Sequence, residues 1–446
     1  MRRIYLALVS ILYISTTAIA QTPLSLQDCM DYAMKHNYTV RNAQLDVLIQ
    51  KAQIGQSVAS AYPHVNGKAD FSYYPVPQSS FIDAHELDPS AAPPGYIEAF
   101  PFSLSYAGDA SLTASQVLFD GQVLIALKAR NTLLEFAKLN GAVTAETVRY
   151  NVERSYNSLV IAYRQYAIIK SSLEYARSLE RDITITQQNG LAEKIDVERT
   201  SVQVNNLVTD SIKISNTLTV SEQVLKYQIG MDLNTPIILT DTSVEMRSQN
   251  VLALLNENEA YERVPEYNVA VTALKLKEYD LKRYQFAGIP TLSAFFTQGS
   301  NYGGEQLNSL FDFNRYYAFS AFGITLNAPI FNGFMRKYQV EEARLNVEKS
   351  KNNILYEKQT IDYQAANART TLKNAVLQTQ SQHRNLDLAN DVLDLAQRKY
   401  KAGVGSNMEV TQAQTDQLTA QTNYFNALLD LINAEADLKK ALGLLQ

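Results

Sequence analysis

Proline placement limits this chain more than any other feature of its sequence. The twelve prolines fall at 23, 63, 75, 77, 89, 93, 94, 101, 236, 265, 290 and 329, so residues 102–235 and 330–446 contain none. Proline removes a backbone donor and clashes with the preceding helical turn, and proline-free runs of this length leave room for very long helices. Glycine agrees: residues 334–402 have none, and residues 122–189 have only Gly141. As single helices, 122–189 and 334–402 would each extend roughly 100 Å, while an opening helix at 24–61 and a return helix at 194–229 would each span roughly 55 Å. Two short helices placed end to end match one long one, which suits the wall of a tube better than a globule.

The chain also repeats itself. QVLFDG at 116–121 corresponds to APIFNG at 328–333, and Gly190-Leu191 followed by Ile195-Asp196-Val197 corresponds to Gly403-Val404 followed by Met408-Glu409-Val410. Leu225-Lys226 with Ile229-Gly230 corresponds to Leu438-Lys439 with Leu442-Gly443. All three matches share an offset of about 213 residues, far longer than a solenoid repeat. The pattern predicts a duplicated half-protein, with repeats at 21–236 and 237–446.

Each repeat reads as helix, strand, loop, strand, long helix, turn, helix. Strands are predicted at about 64–74, 105–119, 291–300 and 316–331, where apolar and polar residues alternate, as in Val65, Gly67, Ala69, Phe71 and Tyr73 against Asn66, Lys68, Asp70 and Ser72. The segment 75–104 holds six prolines and reads as an exposed, irregular loop. On the long helices Leu159, Ala162, Tyr166, Ile169, Leu173 and Ala176 recur at alternating spacings of three and four, continued by Ile183; Leu386, Ala389, Leu393 and Ala396 do the same in the second repeat. Such a seam underwinds a helix against its neighbours.

Strands of about ten residues are long enough to cross a bilayer within a barrel. Four cannot close, and an open edge in lipid would leave backbone groups unpaired at several kcal/mol apiece. Two copies would supply about eight strands, whose side chains fill the interior; three would supply about twelve, which leave a lumen. A homotrimer is therefore expected. The N-terminus fits that destination. Arg2 and Arg3, an apolar run from Ile4 to Ile14 and the small-residue end Ala18-Ile19-Ala20 have the order of a secretory signal peptide at 1–20. Its removal would take the net charge from −5 to −7. No later stretch offers eighteen or more uninterrupted apolar residues, so strands would have to do any spanning.

These features together resemble the TolC-like outer membrane efflux proteins over the whole mature chain. They are the duplicated halves, the LFDG and APIFNG strand-to-helix junctions, and the glycine-containing turns followed by Ile-Asp-Val and Met-Glu-Val. The resemblance implies a mainly α fold with a small membrane β-barrel. Long antiparallel coiled-coil helices would form a trimeric α-barrel tunnel, and four strands per chain would enter a twelve-stranded barrel. It further implies an exit duct in the cell outer membrane for a tripartite efflux pump or type I secretion system. That duct would dock to a periplasmic adaptor and an inner-membrane transporter of RND or ABC type. In one departure, the first turn lacks a counterpart of Tyr400.

Asp387, Asp391 and Asp394 fall on one helix face near the second turn. In a trimer they would form carboxylate rings able to narrow a lumen and favour cations. A solvated face paired with Arg384 and Arg398 competes with that reading. Gly190 and Leu191, and Gly403, Val404 and Gly405, end the long helices by glycine capping; the resemblance adds adaptor docking there. Phe119, Gly121, Phe331 and Gly333 mark the strand-to-helix bends, where glycine permits a turn closed to other residues. Tyr73, Tyr74, Tyr316 and Tyr317 are candidates for an aromatic girdle, although 27 tyrosines and no tryptophan make packing a strong competitor.

Enzyme chemistry is not expected. The four histidines (36, 64, 85 and 383) are scattered, and no P-loop, nucleophile elbow or HExxH sequence is present. Cys29 and His36 share a helix face, but two ligands do not make a metal site. No cofactor is expected, and no basic stripe marks a nucleic-acid partner. The rival is a soluble periplasmic coiled-coil scaffold or adaptor, which would lack the two pairs of amphipathic strands.

Overall fold

The computed structural model describes residues 22–87, 90, 93–101, 104–240, 251–307 and 312–445; the segment expected to be a signal peptide lies outside them. In chain order the main elements are β1 (Thr22–Leu24), α1 (Leu26–His36), α2 (Tyr38–Ala59), β2 (His64–Tyr73), β3 (Ser79–Asp83), β4 (Ile97–Pro101), β5 (Tyr106–Phe119), α3 (Gly121–Gln188) and α4 (Lys194–Ile229). Then come β6 (Ile237–Leu239), α5 (Pro265–Phe286), β7 (Thr291–Gly304), β8 (Tyr316–Asn327), α6 (Met335–Lys401) and α7 (Asn407–Ala441). They fall into two compact units, one built from the chain up to Leu48 with 135–273 and 351 onward, the other from 49–134 and 274–350.

In the first unit, β1 pairs in parallel with β6, Leu24 opposite Leu239. The core beside it takes Cys29, Ala33, Tyr156, Leu159, Leu225, Leu372, Leu428 and Leu438 from five helices, all under 3% exposed. Burial pushes the Cys29 thiol up to about 12, so it is an inert packing residue. Along the α3 seam Leu159, Ala162, Leu173, Ala176 and Ile183 are buried, with Tyr166 and Ile169 half-buried; on α6 only Ala396 of the four seam residues is fully buried.

The opening helix predicted at 24–61 is two helices. Ser25 starts α1 with a capping box: its hydroxyl accepts from the Asp28 amide at 3.1 Å, and the Asp28 carboxylate accepts from the Ser25 amide at 3.0 Å. Asn37 ends α1 in an extended conformation (φ −60°, ψ 127°) and caps α2, its side-chain oxygen accepting from Thr39 at 2.8 Å and Val40 at 3.2 Å. Gly230 (φ 75°) lies against this break, where a Cβ would stand 2.6 Å from the His36 carbonyl oxygen. Gly443 (φ 67°), its counterpart in the second repeat, meets the Arg263 carbonyl oxygen at 2.7 Å in the same way.

The second unit carries a four-stranded antiparallel sheet in the order β2-β5-β7-β8, leaving β2 and β8 at its edges. Thr113 and Thr297 pair across β5 and β7 at 3.0 Å, and a register shift follows at Val117–Phe119. The last strand ends at Asn327, short of the 331 predicted, because Pro329 cannot donate to a ladder. The loop predicted to be irregular contains regular structure: β3 and β4 pair antiparallel from Ser79–Pro101 to Asp83–Ile97, and a helical turn follows at Ala84–Leu87. Pro101 is accommodated at the end of this isolated two-stranded ladder.

Candidate functional site

The turns joining α3 to α4 and α6 to α7 are built alike. Gly190 and Gly403 each adopt φ 75°, and the following residue closes the helix by donating back, Leu191 to Thr186 at 3.0 Å and Val404 to Lys399 at 3.1 Å. Both turns therefore push an aliphatic side chain outward, Leu191 at 80% and Val404 at 78% exposure. Gly405 adds a second amide on the Lys399 carbonyl at 3.1 Å. Ser406 then caps α7 by accepting from Glu409 at 3.2 Å, whereas Glu193 before α4 makes no side-chain cap.

Beneath the turns, Leu179, Ile183, Ala396, Val410 and Ala413 form a small core on which Tyr175, Val197, Leu393 and Tyr400 pack. Tyr400 fills a half-buried place here, and burial together with Asp196 and Asp182 raises its phenol above the usual value. Asn407, 6% exposed, donates to the Thr200 hydroxyl at 3.2 Å and ties α7 to α4. No motif in the sequence marks this residue, since its role depends on Thr200 lying 207 residues away.

Asp387, Asp391 and Asp394 lie exposed on α6. Asp387 pairs with His383 at 3.0 Å and Asp394 with Arg398 at 2.7 Å. Asp391 has no ion pair among the described residues, and Arg384 pairs with none of the three. Beside this acidic row runs an apolar one, Leu388, Val392 and Leu395, each more than half exposed. A cavity of about 340 Å³ continues it between Val392, Leu395, Lys399, Met408 and Gln412.

The two strand-to-helix junctions differ. At the first, Asp120 is a helix cap whose carboxylate accepts from Gln122 at 2.7 Å, and α3 starts at once on Gly121. Gly121 is needed for closeness and not for a left-handed backbone: a Cβ would meet Phe286 at 3.2 Å. Phe119 is the last residue of β5 and is partly exposed. At the second junction, Gly333 (φ 63°) and Phe334 (φ 65°) are both left-handed, and the helix begins only at Met335. Phe331 is 74% exposed and meets Phe334 edge-on at 5.4 Å. At the opposite end of the sheet Tyr73 stacks on Tyr106 at 4.7 Å, and Tyr302 meets Tyr316 at 5.2 Å. Tyr74 and Tyr317 are exposed there.

A carboxylate group that the sequence does not single out lies in the first unit. Glu146 on α3 is 5% exposed, and one of its carboxylate oxygens has no hydrogen-bond partner. Burial and the charge of Glu266 on α5 raise it to about 7, against the opposing pull of Lys440 on α7 and Arg149. Burial and Glu266 likewise raise Glu357 on α6. Among the described residues, no three His, Cys, Asp or Glu side chains are grouped to hold a metal ion.

Comparison with known proteins gives one answer. The outer membrane efflux protein family matches residues 30–230 and 274–444. The probable efflux pump outer membrane protein TtgC of Pseudomonas putida is 24% identical over 442 residues, covering 94% of this chain and 83% of TtgC. The CusC structure aligns with a TM-score of 0.72 at 19% identity, covering 96% of this chain and 95% of CusC. The open-state MtrE outer membrane channel of Neisseria gonorrhoeae aligns at 0.70 with 18% identity, covering 94% and 88%. The four-stranded sheet and long helix pairs are thus the fold of outer-membrane channels, and the chain belongs to the outer membrane efflux protein family.

Proposed function

We propose that this protein is the exit duct of a tripartite efflux pump, acting as a homotrimer in the outer membrane and without catalytic activity of its own. The observation that carries the reading is the sheet whose edge strands β2 and β8 have no partner on their outer sides among the described residues. Such a sheet is stable in lipid only when further strands complete it, and three chains supply about twelve, enough for a lumen. Family membership and the efflux-pump relatives support transport out of the cell over the soluble-scaffold alternative. Energy would come from an inner-membrane transporter, linked through a periplasmic adaptor that engages the turns at Gly190-Leu191 and Gly403-Val404-Gly405. Their paired exposed aliphatics are the support for docking there. We infer that the row Asp387, Asp391 and Asp394 lines the periplasmic aperture, with the unpaired Asp391 its main charge.

Deleting the gene should sensitise the host to toxic small molecules, and detergent-extracted protein should run as a trimer and form channels in planar bilayers. A monomeric, water-soluble product with no conductance would overturn the reading.

A further inference from the structure

The second strand-to-helix junction contains a cavity of about 590 Å³ whose lining combines apolar and cationic side chains. Ile330 (96% exposed), Phe331 and Phe334 supply the apolar part. Arg336, Lys337 and Arg344 supply the charge, against one carboxylate, Glu341. None of the three cations forms an ion pair among the described residues; Lys337 rests over the neighbouring Tyr338 ring at 5.7 Å.

Three features point to an anion that carries hydrocarbon. First, three solvent-exposed cations gathered around one cavity against a single carboxylate set up a positive potential that attracts an anion. Second, the cavity lies directly after the end of β8, at the end of the sheet where its strands join helices; on the proposed reading of that sheet as part of an outer-membrane barrel, on which this inference rests, that is where the membrane's periplasmic surface begins. Third, the equivalent place in the first repeat is arranged in the opposite sense. There Asp120 caps the helix with its own carboxylate, and the positions of Arg336, Lys337 and Arg344 are taken by Leu124, Ile125 and Thr132. Here, among the described residues, the Asn332 side chain makes no hydrogen bond, and two cations, Arg336 and Lys337, sit where a helix dipole disfavours them.

We propose that this junction binds an anionic phospholipid of the periplasm-facing leaflet, its phosphate held by Arg336, Lys337 and Arg344 and its acyl chains against Ile330, Phe331 and Phe334. The left-handed Gly333-Phe334 pair turns the chain so that both phenylalanines and the basic first turn of α6 border one cavity. Basic side chains at a membrane surface recognise phosphate headgroups electrostatically, and adjoining aromatic and aliphatic side chains anchor in the acyl boundary.

The test uses the full mature protein, released from detergent in a native mass spectrometer after equilibration with phosphatidylglycerol, phosphatidylethanolamine or inorganic phosphate. The wild type should retain phosphatidylglycerol in preference to phosphatidylethanolamine. Arg344→Gln, an exposed mid-helix change, should cut that preference about fivefold, and Arg336→Gln with Lys337→Gln should cut it further. Lys194→Gln, at a helix turn, should leave it unchanged. Equal retention of both lipids by the wild type, or an unaltered preference in the variants, would overturn the proposal. So would full competition by inorganic phosphate, which would make the site a small-anion site. Loss of oligomer mass in the variants with lipid preference intact would assign the cavity to a subunit contact instead.

Discussion

Asn37 donates its side-chain amide to the main-chain carbonyl of Gln228 at 2.6 Å while its oxygen caps the helix that follows. One side chain thus ends α1, starts α2 and fastens both to the end of α4. Asn37→Ala should cost about 1–2 kcal/mol from the lost cap, with a further loss from the orphaned Gln228 carbonyl. Gly230→Ala should cost more, because a left-handed alanine alone loses about 1–2 kcal/mol and its Cβ would collide with the His36 carbonyl. Thermal unfolding in detergent should place the Gly230→Ala midpoint below that of Asn37→Ala, and both below wild type. Equal midpoints for all three would refute this.

The aperture proposal makes an electrical prediction. Asp391→Ala combined with Asp394→Ala should lower cation selectivity in single-channel recordings, and Asp391→Ala alone should account for most of the change, since Asp394 is already neutralised by Arg398. Unchanged conductance and selectivity would return the row to an ordinary solvated face.

Docking at the turns predicts a separation of assembly from function. Leu191→Asp with Val404→Asp replaces two exposed aliphatics and should leave trimer formation and bilayer conductance intact. Adaptor cross-linking and efflux in cells should be lost. Normal efflux by this variant would move the docking surface elsewhere.

Glu146 predicts a dependence of stability on pH. Its carboxyl titrates near 7 in the folded protein against 4.5 for the free side chain. Between those values the folded state holds the extra proton, so stability is fully present below about 4.5 and is lost as pH rises through 7. Glu146→Gln should therefore raise the unfolding midpoint at pH 8 and leave it nearly unchanged at pH 4.5. A midpoint difference independent of pH would show that folding does not raise the Glu146 carboxyl.

The long helices and the sheet strands were legible because their signals are local: proline and glycine mark the ends, and periods of two or of three and four fill the middles. The break at Asn37 was not, since its cause is a carbonyl 191 residues away. The β3–β4 pairing was hidden by six prolines that read as loop. Of the candidate site, the acidic row and the glycine turns can be read from spacing, because helix geometry alone puts i, i+4 and i+7 together. Glu146 could not be read, because its burial needs α5, α6 and α7 to converge on it. The junctions carry nearly the same letters, FDG and FNG, yet fold differently, because the Asp120 side chain caps a helix directly while Asn332 leaves the next two residues to turn left-handed.

The two uncovered borders of the sheet have a price during biogenesis. On the proposed trimeric assembly, β2 and β8 each present, until sister chains arrive, a row of unsatisfied amides and carbonyls that will accept any extended peptide. Correct partners and stray ones compete for the same ladder, and that competition is set by how many unassembled chains are nearby. Overproduction therefore favours sticky, mispaired material, and slow, steady synthesis favours working channels.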